Sequence, residues 1–373
     1  MTPIEAANAL LAQGHPDQAL AALAGSDAPD FRLARLVVLR AMGAYLPAME
    51  EARAVLRAHP GHAQATTFLA MLHLLTGQAD GWEMYRARWD TPGWPDRMPY
   101  PREHLWDGLI KPGTSVLFWA EQGYGDTLQF ARYLPWLRRQ GLQLHLQCPQ
   151  PLQALFAHAM PDVPLWDPQP GSTSAFEAHL PLLDLPGLLP RFSPDFCNQP
   201  YLHIPAEPAR AEAPERPGGR VGLVWAGRPT HPDDAQRSVP ASLLEPLWAV
   251  PGISWVSLQQ GGHTPPAPLT GQREFGNFWE TARCIAALDL VITVDTAVAH
   301  LAGAMGKPVW VLLPFVPDWR WGLDSTRTAW YPRMRLYRQT RRGDWPATLR
   351  TVAQDLRHFR PAPASALPSL RHG

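Results

Sequence analysis

The chain has 373 residues, room for two or three domains with substantial cores, and its 33 Lys+Arg balance its 33 Asp+Glu, so the net charge is zero and nothing favours nucleic acid as the main partner. Cys148, Cys197 and Cys284 are far apart with no C-x-x-C pair, which argues against a disulfide framework or zinc site and fits a reducing compartment. With no basic-then-apolar leader and no apolar run near the roughly 18 residues of a membrane span, the expectation is a soluble, cytoplasmic protein.

Residues 1–89 read as helical and repetitive. Gly14, Gly43 and Gly77 each follow one apolar helix and open another, at spacings of 29 and 34 residues, close to the tetratricopeptide period of about 34. Ala19, Leu20, Ala22 and Leu23, then Ala52, Val55 and Leu56, supply small apolar faces for stacking. Such an array presents a concave surface to a peptide or protein; the alternative is a helical cap over the next domain. Residues 90–112 are rich in Pro, Trp and Gly and read as an ordered linker.

The first α/β stretch, 113–205, opens with strand-like Val116–Ala120, a turn over Glu121–Asp126, a helix over Thr127–Arg139 that Pro135 should kink, and a strand over Leu142–Gln147. Gly123-x-Gly125 invites a dinucleotide reading, but Leu128 occupies the third glycine position and no acidic residue ends the second strand. Residues 206–219 are polar and Pro-rich, the best interdomain linker. A second α/β domain, 220–360, then offers strands at Val221–Trp225, Ser254–Leu258, Leu290–Val294, Val309–Leu313 and Met334–Tyr337, and a last helix capped by Asp344. Residues 361–373 read as a disordered tail. The fold class is therefore α/β, two Rossmann-like domains facing across a cleft after an α-helical region.

Four loops carry chemistry-bearing residues. Gln122, Gly123, Gly125 and Asp126 follow the first strand; Asp126 suits a general base, or the N-cap of the helix behind it. Trp225, Gly227 and Arg228, with Arg237 downstream, combine small residues for close approach with forked donors for a diphosphate. Gln259, after a buried strand, can read a nucleobase or simply begin a loop. Asp295, Thr296 and His300 surround the start of a short helix whose free N–H groups attract anions. Trp225, Trp319 and Trp321, three of 16 tryptophans, lie near these loops and offer stacking faces or core filling. There is no D-x-D pair, P-loop, H-E-x-x-H or G-x-S-x-G, so no metal or further cofactor is expected.

The stretch from Val294 to Pro308, VDTAVAHLAGAMGKP, resembles the signature of glycosyltransferase family 9, the bacterial heptosyltransferase type. The Gly125-Asp126 step is similar to the glycine–aspartate step carrying that family's proposed base, and Arg237 falls where the family has a basic residue on the donor phosphates. The whole chain resembles bacterial tetratricopeptide proteins carrying such a domain, some implicated in glycosylating flagellin. The resemblance implies a GT-B fold with an acceptor half and a donor half, and inverting, metal-independent transfer from a nucleotide-sugar to an acceptor hydroxyl. Asp126 would be the base, with Arg237, Asp295, Thr296, Ala297 and His300 on the donor. Ala297 stands where the family has glycine, and Glu121-Gln122 departs from its polar, basic loop. The pairing with helical repeats favours an acceptor on a protein, engaged through those helices. A non-catalytic scaffold and a sugar-nucleotide epimerase or hydrolase are the competing readings.

Overall fold

The computed structural model describes residues 1–94, 97–167, 176–189, 199–205, 217–231, 233–261, 266, 269 and 274–361. Most of the 206–219 stretch and of the 361–373 tail lies outside them, as does Cys197. The chain divides into two compact units, Met1–Gly108 with Leu183–Ser193 and Phe315–Ser325, and Leu109–Leu182 with Pro194–Pro314 and Thr326–Gly373.

The first unit is helical: α1 Pro3–Ala12, α2 Pro16–Ala22, α3 Pro29–Ala41, α4 Tyr45–Ala58 and α5 Ala63–Leu75. Thr2 opens α1 with a capping box, its hydroxyl taking the Glu5 N–H while the Glu5 carboxylate takes the Thr2 N–H. Gly14, Gly43 and Gly77 follow α1, α3 and α5 in the left-handed conformation, φ +82°, +78° and +80°, which lets the chain reverse after each helix. Ala19, Leu23, Ala52 and Val55 are buried as their spacing requires. Beyond α5 the packing turns aromatic. Arg88, fully buried, lies 4.7 Å above the Tyr85 ring and 4.6 Å above Trp89, and donates to Asp184 at 2.6 Å and to the Tyr85 carbonyl at 3.0 Å. Trp319 packs edge-on against Trp82 at 5.3 Å.

The second unit holds two parallel sheets. In the first, β1 Ser115–Trp119 is central between β2 Gln143–Gln147 and β3 Ala178–Pro181, giving the order β2-β1-β3. After β1 come α6 Tyr124–Phe130, a 3₁₀ turn, and α7 Leu134–Arg139; α8 Gln150–Ala159 follows β2. The single helix expected over Thr127–Arg139 is thus two. Gly123, with extended backbone, starts α6 three residues early, and Pro135, whose missing N–H suits only a first turn, begins α7.

The second sheet has the order β5-β4-β6-β7-β9-β8, from β4 Arg220–Val224, β5 Ser254–Ser257, β6 Leu290–Val294, β7 Val309–Leu313, β8 Arg327–Thr328 and β9 Tyr331–Arg338. All pairs are parallel except β8 with β9. α9 Phe278–Ala286 precedes β6, α10 Ala297–Ala304 joins β6 to β7, and α11 Trp345–His358 closes the domain with Asp344 accepting the Ala347 N–H. β6 and β7 are buried at every position, so their continuous β-branched and apolar runs mark their limits. After α10, Gly306 adopts φ +70° and Lys307 sends its ammonium to the Ala286 and Leu288 carbonyls at 2.7 and 2.8 Å. Numbering the five parallel strands from β4, their order is 2-1-3-4-5, with the connection reversing direction between β4 and β6. Ligands of doubly wound sheets bind at that reversal, beyond the carboxyl ends of the strands. Among the described residues no helix is long and apolar enough to cross a membrane.

Two stability measurements test this packing. Arg88→Met leaves the buried Asp184 carboxylate with only the longer, part-exposed contact to Arg86 at 3.6 Å and should cost about 2–4 kcal/mol in urea unfolding, most of it recovered by Asp184→Leu in the same chain. Burial lowers the Lys307 pKa to about 8 from 10.5. The unfolded chain then binds the extra proton between those values, so Lys307 lowers stability below about pH 8, and stability rises as pH increases toward 10.5. Wild-type stability measured against Lys307→Met should therefore rise over that range.

Candidate functional site

Both reversal points in the second unit carry residues singled out from the sequence. In the first sheet the point lies between β1 and β3, where the chain leaves β1 through Glu121–Gly123 into α6. Glu121 is buried, and Gln122 adopts φ +61°, a left-handed backbone that side chains other than glycine seldom take. Asp126 is the third residue of α6. Its carboxylate reaches back to the Gly123 N–H at 2.8 Å, so it does not cap the helix from outside, as a start at Thr127 would have required. That bond orients the carboxylate, and the positive end of the helix favours its charge.

In the second sheet the loops after β4 and β6 flank the reversal. Arg237 ties them together: its Nη1 donates to the Asp295 carbonyl at 3.2 Å and its Nε lies 3.3 Å from the Asp234 carboxylate. A guanidinium has five N–H donors, so these contacts use two. Gly227 lies directly against this pair; a Cβ there would collide with the Asp234 carboxylate and the Arg237 guanidinium. Its N–H donates to Ser238 Oγ at 2.9 Å, and Ser238 donates to Asp234 at 3.1 Å. Arg228 is exposed at the rim of the same loop.

Thr296 is the N-cap of α10, with extended backbone at φ −143° and ψ 171°, yet its hydroxyl makes no capping bond. It pairs instead with Thr293 Oγ1 at 3.1 Å, while the Thr293 hydroxyl donates to the Val294 carbonyl at 2.7 Å. The first N–H groups of α10 are therefore not satisfied by the cap side chain, and a helix start in that state binds anions. Four residues into the same helix turn, His300 is only 4% exposed and its Nδ1 lies 3.0 Å from Tyr331 Oη.

The two helix starts meet. A Cβ added at Gly125 would lie 2.9 Å from His300 Cδ2 and 3.6 Å from the Ala297 Cα. Tyr124 packs edge-on against Phe278 at 5.2 Å, and His158 stacks on Trp279 at 4.3 Å, so α6 and α8 both approach the domain of the second sheet. The structure thus brings Gly125, the residue before Asp126, to Ala297 and His300, and brings Arg237, against which Gly227 packs, to the Asp295 carbonyl.

Two residues occupy other roles. Trp225 is 2% exposed, so its indole packs in the core and cannot offer a stacking face; its carbonyl accepts the Val239 N–H at 2.7 Å. Gln259 is equally buried and its amide is saturated, with Oε1 taking the Trp225 and Ala226 N–H groups and Nε2 donating to the Ala226 and Gln260 carbonyls, all between 2.9 and 3.0 Å. It braces the loop after β4 and has no donor or acceptor left for a base. Trp319 and Trp321 belong to the helical unit, where Trp319 packs on Trp82. Missed from the sequence were Tyr331 and Arg132. Arg132 had one visible signal, a lone cation inside the apolar run from Leu128 to Leu137.

Among the described residues no group of three or more His, Cys, Asp or Glu is placed to hold a metal ion. Gly125→Ala should be destabilising by about 1–3 kcal/mol in urea unfolding, because the new methyl meets an imidazole that Tyr331 holds in place. A mild or stabilising effect would show that the helix starts are loosely packed.

A relative is Protein FlbA of Caulobacter vibrioides, 28% identical over 339 residues, covering 80% of this chain and 54% of that protein. The chain spans about half the length of that curated relative. Among solved structures, the iron-containing dodecameric glycosyltransferase TibC from enterotoxigenic E. coli aligns over 64% of this chain and 67% of its own at 14% identity, with a TM-score of 0.44. The glycosyl transferase family 9 protein from Veillonella parvula aligns over 62% of this chain and 88% of its own at 11% identity, with a TM-score of 0.43. Residues 263–313 match the family model described as Glycosyltransferase family 9 (heptosyltransferase). That stretch runs through α9, β6, α10 and β7, so Asp295, Thr296 and His300 lie inside the segment that matches this family model.

Proposed function

We propose that the chain is an inverting glycosyltransferase of GT-B type that moves a sugar from a nucleotide-sugar to an acceptor hydroxyl, without a metal. The observation that carries this reading is the coincidence of the family 9 segment with the reversal point of the second sheet, where Arg237 bridges to Asp295 beside the uncapped start of α10. A diphosphate bound there would meet a guanidinium and helix N–H groups, which stabilise the charge that grows as the bond from the anomeric carbon to the phosphate oxygen breaks. Asp126 is the base. It takes the acceptor hydroxyl proton as the oxygen attacks the anomeric carbon from the face opposite the departing nucleoside diphosphate. Support for this role is its position on α6, whose start packs on that of α10, and the Gly123 bond that orients it. The acceptor hydroxyl belongs to a protein, held by the helices of residues 1–89 in a tetratricopeptide-like arrangement; their left-handed glycines at 29 and 34 residue spacings support that part.

Asp126→Asn should lower the transfer rate by about 10²–10⁴-fold and leave nucleoside diphosphate affinity unchanged. Arg237→Met should instead weaken that affinity by about ten- to a hundredfold, measured by calorimetric titration with ADP, UDP, GDP and CDP. Full cellular activity of the Asp126→Asn protein would favour a scaffold, and conversion of a sugar nucleotide with no acceptor present would favour an epimerase.

A further inference from the structure

The β8–β9 edge of the second sheet departs from a regular ladder. Arg327 of β8 faces Arg335 of β9, and Thr328 faces Tyr331. An unbroken antiparallel ladder would set Thr328 opposite Met334. Pro332, Arg333 and Met334 therefore have no opposite residue on β8 and bulge out of the pairing. Bulges of this kind re-aim side chains. Here the three bulged residues, with Thr326, Arg327 and Arg335, line a cavity of about 280 Å³.

Among the described residues the wall of this cavity holds three guanidiniums and no carboxylate. Cross-strand partners stand about 5 Å apart on one face, so Arg327 and Arg335 set like charges directly opposite each other, which costs stability. A hairpin that needed charge only to deter pairing at its edge would gain from a carboxylate in one of those positions. Asp355 of α11 lies 2.7 Å from Arg335 Nη2, and its same oxygen takes the Tyr337 hydroxyl at 2.9 Å. Arg333 donates Nη1 to the Gly306 carbonyl at 3.2 Å. Each of these two guanidiniums is thus anchored by one N–H and carries five. All three arginines are exposed, so a solute reaches them. Met334 pairs with Val309, the first residue of β7, which puts the cavity toward the amino ends of the parallel strands. Gly306 follows the last turn of α10, whereas Thr296 precedes its first, about 12 Å away along an eight-residue helix.

We propose that this cavity binds a phosphate dianion, free or as the terminal phosphoryl group of a small ester, at a site separate from the donor loops. A dianion among the three guanidiniums offsets the repulsion of the opposed pair and offers its oxygens to forked donors. The cavity is smaller than the roughly 300–1,000 Å³ of drug-sized ligand pockets, so it suits a phosphoryl group with few further atoms and not a nucleotide-sugar. This site stands whether or not the chain transfers a sugar.

The test uses the full chain labelled with ¹⁵N-arginine at constant ionic strength, with the Arg333 and Arg335 Nε–H signals assigned by comparison with Arg333→Gln and Arg335→Gln. Titration with inorganic phosphate should shift both signals along a saturating curve, and chloride should not. Arg333→Gln should weaken phosphate binding about tenfold, read at Arg335. Shifts that grow without saturating, or that chloride reproduces, overturn the proposal and leave these arginines as guards of the sheet edge. If Arg335→Gln does not fold without its bond to Asp355, the Arg333 signal decides alone. A hexose phosphate titrated in the same way separates the two sources: tighter binding than inorganic phosphate marks an ester, and equal or weaker binding marks the free ion. Arg237→Met should take up phosphate at this cavity as the wild type does, and Arg333→Gln should keep wild-type affinity for nucleoside diphosphates. Loss of the Arg333 shift in Arg237→Met would put the phosphate at the donor loops and overturn the proposal. A wild type that binds no nucleoside diphosphate would remove the proposed function and leave the phosphate site to be decided by the titration.

Discussion

The site depends on the absence of one carbon atom. At Gly125 the backbone of α6 comes so close to α10 that a Cβ would press on the His300 ring, and the Ala297 Cα lies just beyond. Two helix starts in contact place two partial positive charges side by side, an arrangement that repels itself unless anions are near. Asp126 supplies one such charge from within α6. In the proposed function, the donor's diphosphate supplies the other.

Behind that meeting point the chain spends much of its polar material on rigidity. Arg132 is removed from water, a costly step for a guanidinium, and is compensated by two backbone carbonyls and three aromatic rings. Its partners come from α6 and the turn after it and from the segments around Tyr201 and Tyr331. The Tyr201 and Leu202 N–H groups also close on the Ala304 carbonyl at the end of α10. The cluster therefore joins the first sheet's helices to the second sheet's central crossover, which is what fixes His300 relative to α6.

Some of this was legible in the residues alone. The runs Leu290–Val294 and Val309–Leu313 are strands over those same limits, because continuous β-branched and apolar runs bounded by Asp-Thr and by Gly-Lys-Pro leave little choice. The start of α6 was not, since a glycine N-cap with a back-reaching Asp126 looks like a turn followed by a capping aspartate. Trp225 and Gln259 stand after strands, where ligand-binding residues stand too; only burial and a saturated amide separate bracing from recognition. Tyr331 carried no signal, because its contact with His300 spans 31 residues and depends on a glycine at 303. The grouping of Phe315–Ser325 with the helical unit is likewise a long-range fact, invisible to a reading in consecutive blocks.

The hydroxyl of Thr296 turns away from the helix it precedes; the Ala299 N–H bonds back to the Thr296 carbonyl at 3.0 Å, and the Thr296 side chain does not cap the amides before it. A recognition surface made of main-chain groups is largely silent in alanine scanning, since every residue except proline presents the same N–H. Side-chain replacement along 295–298 would therefore under-report what this turn contributes. Chemical editing of the backbone, exchanging a single amide for an ester, would make it audible.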